Sequence, residues 1–293
     1  MRRLSSLIKT TFIEVAQNPL ALLLTLSAAV LSVLSPALHY HQFGEPSRMA
    51  RDAGFSAILV FGLFHGVFST VKILRDEIES GTMQMALSHS ITRAEFYVGK
   101  LLGIIIGNAF FVVTIAAITL VAVEGANLAA AIPDEGGALR RVSGLHLAAT
   151  LASSVAPPVI AAVLNRFFRF RFVLSATVLC LVIAVAGFLF LGSWNELARF
   201  LPAFIMVSSP LAVFVALAGL LSIGNKGGMA LSWCGVAFLF SLPALGNYQM
   251  SSELAYGATV PLEYFALAEA GAAVLVALFV YIGILLIQKV DVA

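Results

Sequence analysis

Charge is scarce in this sequence. Its 293 residues include 17 Lys and Arg and 15 Asp and Glu, 11% of the chain against 60% hydrophobic residues, and the mean hydropathy is +1.00. So little charge excludes a soluble domain, because a single core of this length cannot hide that much apolar surface. A net charge of +2, with no basic patch interleaved with aromatics, gives nucleic acid nothing to hold. Cysteine is nearly absent too: Cys180 and Cys234 both fall inside apolar runs and read as buried hydrophobes rather than a disulfide or a metal pair. No G-x-x-x-x-G-K-[ST] occurs; Gly99-Lys100 is followed by Leu101 and preceded five residues back by Ala94. The chain therefore cannot cradle ATP phosphates by itself.

What the chain has is long apolar runs. Eight lie near 20–38, 53–71, 101–123, 145–164, 172–192, 201–222, 229–248 and 266–288, each free of Lys, Arg and Asp, with Glu269 alone intruding. About 20 apolar residues of helix cross a bilayer, and helices are the default because every backbone group must be satisfied internally. The expected fold is an all-α integral membrane protein, one transmembrane domain over 1–293 with a bundle of six to eight spans. With the amino terminus inside, 12 of the 17 basic residues fall in cytoplasmic segments, and Arg48, Arg51, Arg140, Arg141 and Arg199 fall outside. That asymmetry places both termini in the cytoplasm. The first run begins near Leu20, is too long and lacks a convincing cleavage site, which argues against a cleaved signal peptide.

The count stays open between 201 and 248. Pro202 and Pro210 interrupt one run, Pro243 and Gly246 the next, so each reads either as a full span or as a broken or re-entrant helix. The order proline, apolar run, polar turn and apolar run also occurs in the preceding pair, as an internal repeat would. The outer loops, Gly44 to Asp52, Glu124 to Arg141 and Gln249 to Glu263, are short.

Before the first span, Leu4, Leu7, Ile8, Phe12 and Val15 recur at helical spacing opposite Arg3, Ser6, Lys9, Thr10 and Glu14. This predicts an amphipathic helix over 1–18 lying in the membrane interface and ending at Asn18, where Pro19 begins the next helix. Between spans two and three, 75–98 is polar and amphipathic, and it faces the cytoplasm. Asp76, Glu77 and Glu79 suit the first turn of a helix starting near Arg75. Met83, Met85, Ala86 and Leu87 form an apolar patch, and Gly81 and Thr82 permit a bend or a close approach. Thr92 with Glu95 reads as an N-cap and capping box for a helix entering the next span.

Inside the spans His65, Asn108 and Glu269 should face protein or water, which makes them candidates for a translocation path. Gly99, Gly103 and Gly107 share one helical face and invite a close-packed helix, either from the same subunit or from another. His39 and His41 flank Tyr40, an H-x-H pair with no nearby residues to complete a metal set.

The order Glu77, Gly81, Thr82, Met83, Leu87, Ile91, Thr92, Arg93, Glu95, Gly99 and Lys100 resembles the pattern of ABC-2 type transporter permeases, roughly E-x-x-x-G-T-L-x-x-L-L-x-x-P-I-S-R-x-E-x-x-x-G-K. Ser90 stands where that family usually has proline. The resemblance covers about the first 125 residues, including the Asn-Pro that ends the interfacial helix. It implies a prokaryotic inner-membrane permease subunit, mainly of exporters, and six spans as the family's usual number. It further implies that Asp76, Glu77, Glu79, Gly81, Thr82, Met83, Met85 and Arg93 form the coupling surface for a separate ATPase subunit. ATP and magnesium would sit on that partner, and a second permease copy or relative would complete the path. A secondary transporter is the alternative reading, since proline-interrupted runs supply the broken helices such proteins use. A membrane-embedded enzyme would need more converging acids and bases than His65, Asn108 and Glu269 provide.

Overall fold

A computed structural model describes residues 2–34, 46–80, 91–130, 144–224, 229, 231, 233–237 and 261–289. Those residues form an all-helical bundle with no strand among them. In chain order the long helices are α1 (Arg2–Ala16), α2 (Pro19–Leu34), α3 (Pro46–Glu79), α4 (Arg93–Ala130), α5 (Gly144–Phe168), α6 (Phe172–Leu191), α7 (Trp194–Gly224) and α8 (Leu262–Gln288). Among the described residues six helices, α3 to α8, are long and apolar enough to cross a membrane, and the bent pair α1 and α2 makes up to seven. The chain is thus a multi-pass membrane protein. The run expected at 229–248 lies mostly outside the described residues, as do His39 and His41.

The break between α1 and α2 falls where the sequence places it. The Asn18 side-chain oxygen accepts from Leu20 N–H at 3.1 Å and Pro19 occupies the first helical position, so α2 starts afresh at 63° to α1. Thr177 of α6 donates to the last carbonyl of α1, Ala16 O, at 3.0 Å, and the Arg171 guanidinium donates to Gln17 Oε1 at 2.8 Å. The bend is held from outside as well as by its own cap.

Of the two readings open for 201–222 the structure takes the full helix: Pro202 and Pro210 do not break α7, which runs unbroken from Trp194 to Gly224. Pro210 cannot donate to Met206 O, but the Ser209 hydroxyl donates to that same carbonyl at 3.2 Å, so it stays satisfied. The helices also extend into the expected loops. α3 begins at Pro46 and α4 continues to Ala130, so 46–52 and 124–130 are helical.

The core sits where α3, α4 and α7 meet, filled by Ile58, Phe111, Ile115, Ile118, Phe204 and Leu211 among others. Among the described helices α3 and α4 pack together most extensively. With 34 and 38 residues, they are about 51 and 57 Å long at 1.5 Å per residue. A hydrocarbon core is about 30 Å thick, so both helices project well beyond it. Cys180 and Cys234 are buried free thiols.

Candidate functional site: a charged node and a lateral groove

The segment between α3 and α4 was expected to open a new helix at Arg75. Instead α3 runs through Asp76, Glu77 and Glu79, so these acids occupy a helix carboxyl end, where the dipole disfavours them. Ion pairs compensate. Arg75 Nε pairs with Glu79 one turn on. Glu77 reaches across to Lys100 Nζ in α4, and Lys100, only 2% exposed, also donates to Glu14 Oε2 of α1 at 2.9 Å. One buried ammonium therefore ties three helices together. Asp76 lines a polar hollow of about 300 Å3 next to the node, together with Lys72, Glu14, Gln17 and Asn18.

At the start of α4 the capping box forms as the sequence indicates. Thr92 N–H donates to Glu95 Oε2 at 2.9 Å and Glu95 N–H to Thr92 Oγ1 at 3.2 Å. Arg93 turns inward: its guanidinium donates to Gln288 O at 2.9 Å and to Ile287 O at 3.4 Å, satisfying carbonyls at the end of α8. Of the eight residues expected to form a coupling surface, Glu77 and Arg93 thus hold their own chain together, while Gly81, Thr82, Met83 and Met85 lie outside the described residues. The contribution of Glu14 was not anticipated. Its signal is an acid on the charged face of α1 and a lysine entering an apolar run, with nothing in sequence to join them.

Gly99, Gly103 and Gly107 receive α1. A methyl at Gly99 would meet Leu7, one at Gly103 would lie 2.6 Å from Thr11 Cβ and 2.9 Å from Ile8 O, and one at Gly107 would lie 2.7 Å from Val15 Cγ1. The two helices run in the same direction here, and the apolar face of α1 is covered by α4. The glycine stripe is packing within the chain. A few residues away, Tyr97 is fully buried with its ring against Gly283 of α8 and its hydroxyl near Gly219 of α7, positions where a Cβ would clash.

Deeper in the bundle, His65 of α3 and Asn108 of α4 are each 4% exposed and lie together, His65 Nδ1 at 3.1 Å from Asn108 Oδ1. An amide oxygen only accepts, so the ring donates from Nδ1. Phe111 stacks on the imidazole with centroids 5.1 Å apart. Asn108 also lines a groove of about 980 Å3 between α4, α6, α7 and α8, and Glu269 of α8 lines the same groove. The three intramembrane polar residues picked out in the sequence are thus connected, two by direct contact and the third across a shared cavity. Among the described residues Ser208, Ser209 and Trp194 supply the remaining polar groups, and the rest of the lining is apolar. Among the described residues no three His, Cys, Asp or Glu side chains converge as a metal site.

No protein-family model matches this chain, and neither a curated protein nor a solved structure matches it.

Proposed function

We propose that this chain is the permease subunit of an ATP-driven ABC transporter of the ABC-2 type, an exporter in the inner (plasma) membrane of a prokaryote with both termini cytoplasmic. ATP and its magnesium ion belong to a separate ATPase subunit, and this chain catalyses nothing. A second permease, identical or related, completes the path. The ATPase acts through residues 75–98, and α1 packs along the start of α4 beside them.

One observation supports this most: the polar segment joins two helices that overshoot the bilayer and are bound to α1 by a buried ion-pair node. A force applied at 81–90 meets α1, α3 and α4 as one body, because Lys100 holds Glu14 and Glu77 at once. Arg93 extends the connection to the end of α8, so displacement at the tip reaches the helix that forms one wall of the groove. The motif from Glu77 to Lys100 supplies the family reading, and the packing supplies a lever suited to it. A secondary transporter is the alternative, but the unbroken α7 removes the discontinuous helix that favoured it over 201–222.

The test is affinity purification of the full chain from its native membrane. Co-purification of a Walker-motif ATPase, lost on Gly81→Trp, supports the proposal. A chain that transports or purifies without any ATPase overturns it.

A further inference from the structure

The groove holds an acid, Glu269, in an otherwise apolar lining. Its lining along α4 runs from Val98 to Leu120, a length of about 33 Å at 1.5 Å per residue, comparable to the hydrocarbon thickness of a bilayer. Polar groups gather near the middle. Counting along straight helices from the Tyr97 contacts, Glu269, fourteen residues before Gly283, comes level with Phe111, and Ser208, eleven residues before Gly219, comes level with Asn108. Glu269 Oε1 is buried there with no hydrogen-bond partner among the described residues.

A buried acceptor of this kind requires a donor. Among the described residues none supplies one: the Ser208 and Ser209 hydroxyls donate to Ile205 O and Met206 O, and no described lysine or arginine lines the groove. A second copy has no Lys or Arg in any of the eight apolar runs, so its spans offer no cationic donor. A cationic donor for this carboxylate therefore comes with a ligand, and an anionic headgroup would be repelled.

The geometry points to this groove as the seat of an elongated amphiphile carrying a protonated amine, its hydrocarbon along the apolar walls and its ammonium on Glu269. As a statement about cargo this rests on the permease reading. As a statement about binding it stands alone.

Trp194 lines the groove and provides the readout, since Trp233→Phe leaves it as the sole tryptophan. The full chain carrying that change is placed in nanodiscs of zwitterionic lipid and titrated with bromine-labelled hexadecylamine or bromine-labelled hexadecanoic acid, each of which quenches a nearby indole. The expected result is saturable quenching by the amine at a concentration at least about tenfold below that needed for the acid, a preference removed by Glu269→Gln. Ala273→Phe, which narrows the slot and keeps the carboxylate, should weaken quenching by both. Equal quenching by amine and acid in the Trp233→Phe chain, whose groove lining is unaltered, overturns the inference without relying on any groove variant. So does a preference that survives Glu269→Gln, or cross-linking of Ala273→Cys between two copies in a form that no longer quenches, which would make the groove a subunit seam. No ATPase enters the assay, so failure to find that partner leaves this result unaffected.

Discussion

Lys100 Nζ lies 2.9 Å from Glu14 Oε2 across 86 residues of sequence, and this contact fastens α1 to α4, the second span-length helix of the bundle. Lys100 is almost wholly buried while Glu14 is 40% exposed, so the pair loses more when the lysine is removed than when this glutamate is. Lys100→Met should destabilise the protein by about 3 kcal/mol, the range for removing one side of a buried pair. Glu14→Gln should cost less, since Glu77 still holds the ammonium. Adding Glu77→Gln to Lys100→Met should recover part of the loss. Denaturation midpoints of the four proteins in one detergent check the order.

The glycine stripe gives a graded prediction. Gly103→Ala should be the most damaging, because its methyl meets the Ile8 backbone carbonyl as well as Thr11. Gly107→Ala meets the stiff Val15 side chain, and Gly99→Ala meets the flexible end of Leu7, which can rotate away. Losses of about 1–3 kcal/mol are expected for the first two and less for the third. Maleimide labelling of a cysteine at Thr11 would report whether α1 has lifted from α4.

His65 and Asn108 should be energetically coupled. Truncating either to alanine leaves a buried polar partner unmatched and should cost about 1–3 kcal/mol. The double variant should cost less than the sum, with a coupling of about 1 kcal/mol measured by a double-mutant cycle on thermal stability.

At the start of α4, Glu95→Ala removes the carboxylate that takes both the N–H and the hydroxyl of Thr92. A loss of about 1 kcal/mol is expected, confined to the first turn, with faster amide hydrogen exchange at residues 92–96 and no change in the middle of α4. Arg93→Ala should instead speed exchange at the carboxyl end of α8, 195 residues away.

The membrane class, the Asn18-Pro19 break and the Thr92–Glu95 box were legible because each is a local matter of hydropathy or capping. The length of α3 was not. Lys72, Arg75 and the acids after them look like the end of a span, but Arg75 pairs with Glu79 and Glu77 with Lys100, so the helix carries its charges outward without stopping. Pro210 left the choice between a full and a broken helix open for a related reason: the serine before it takes over the carbonyl that proline abandons, which no sequence pattern shows. Glu77 and Arg93 were read as surface residues because a sequence does not say which charge is neutralised by a distant partner. The groove was out of reach altogether, since its walls come from four helices and only Asn108 and Glu269 announced themselves.

The account turns on whether 81–90 is where an ATPase pushes. A photo-cross-linking amino acid placed at Met83 or Met85 of the full chain, in living cells, measures this most directly. The predicted product is a covalent adduct with a polypeptide that mass spectrometry identifies as a Walker-motif ATPase, formed from the cytoplasmic side and lost when Gly81 becomes tryptophan. Labelling of the same positions by a membrane-impermeant reagent from outside the cell, with no ATPase adduct, would contradict it.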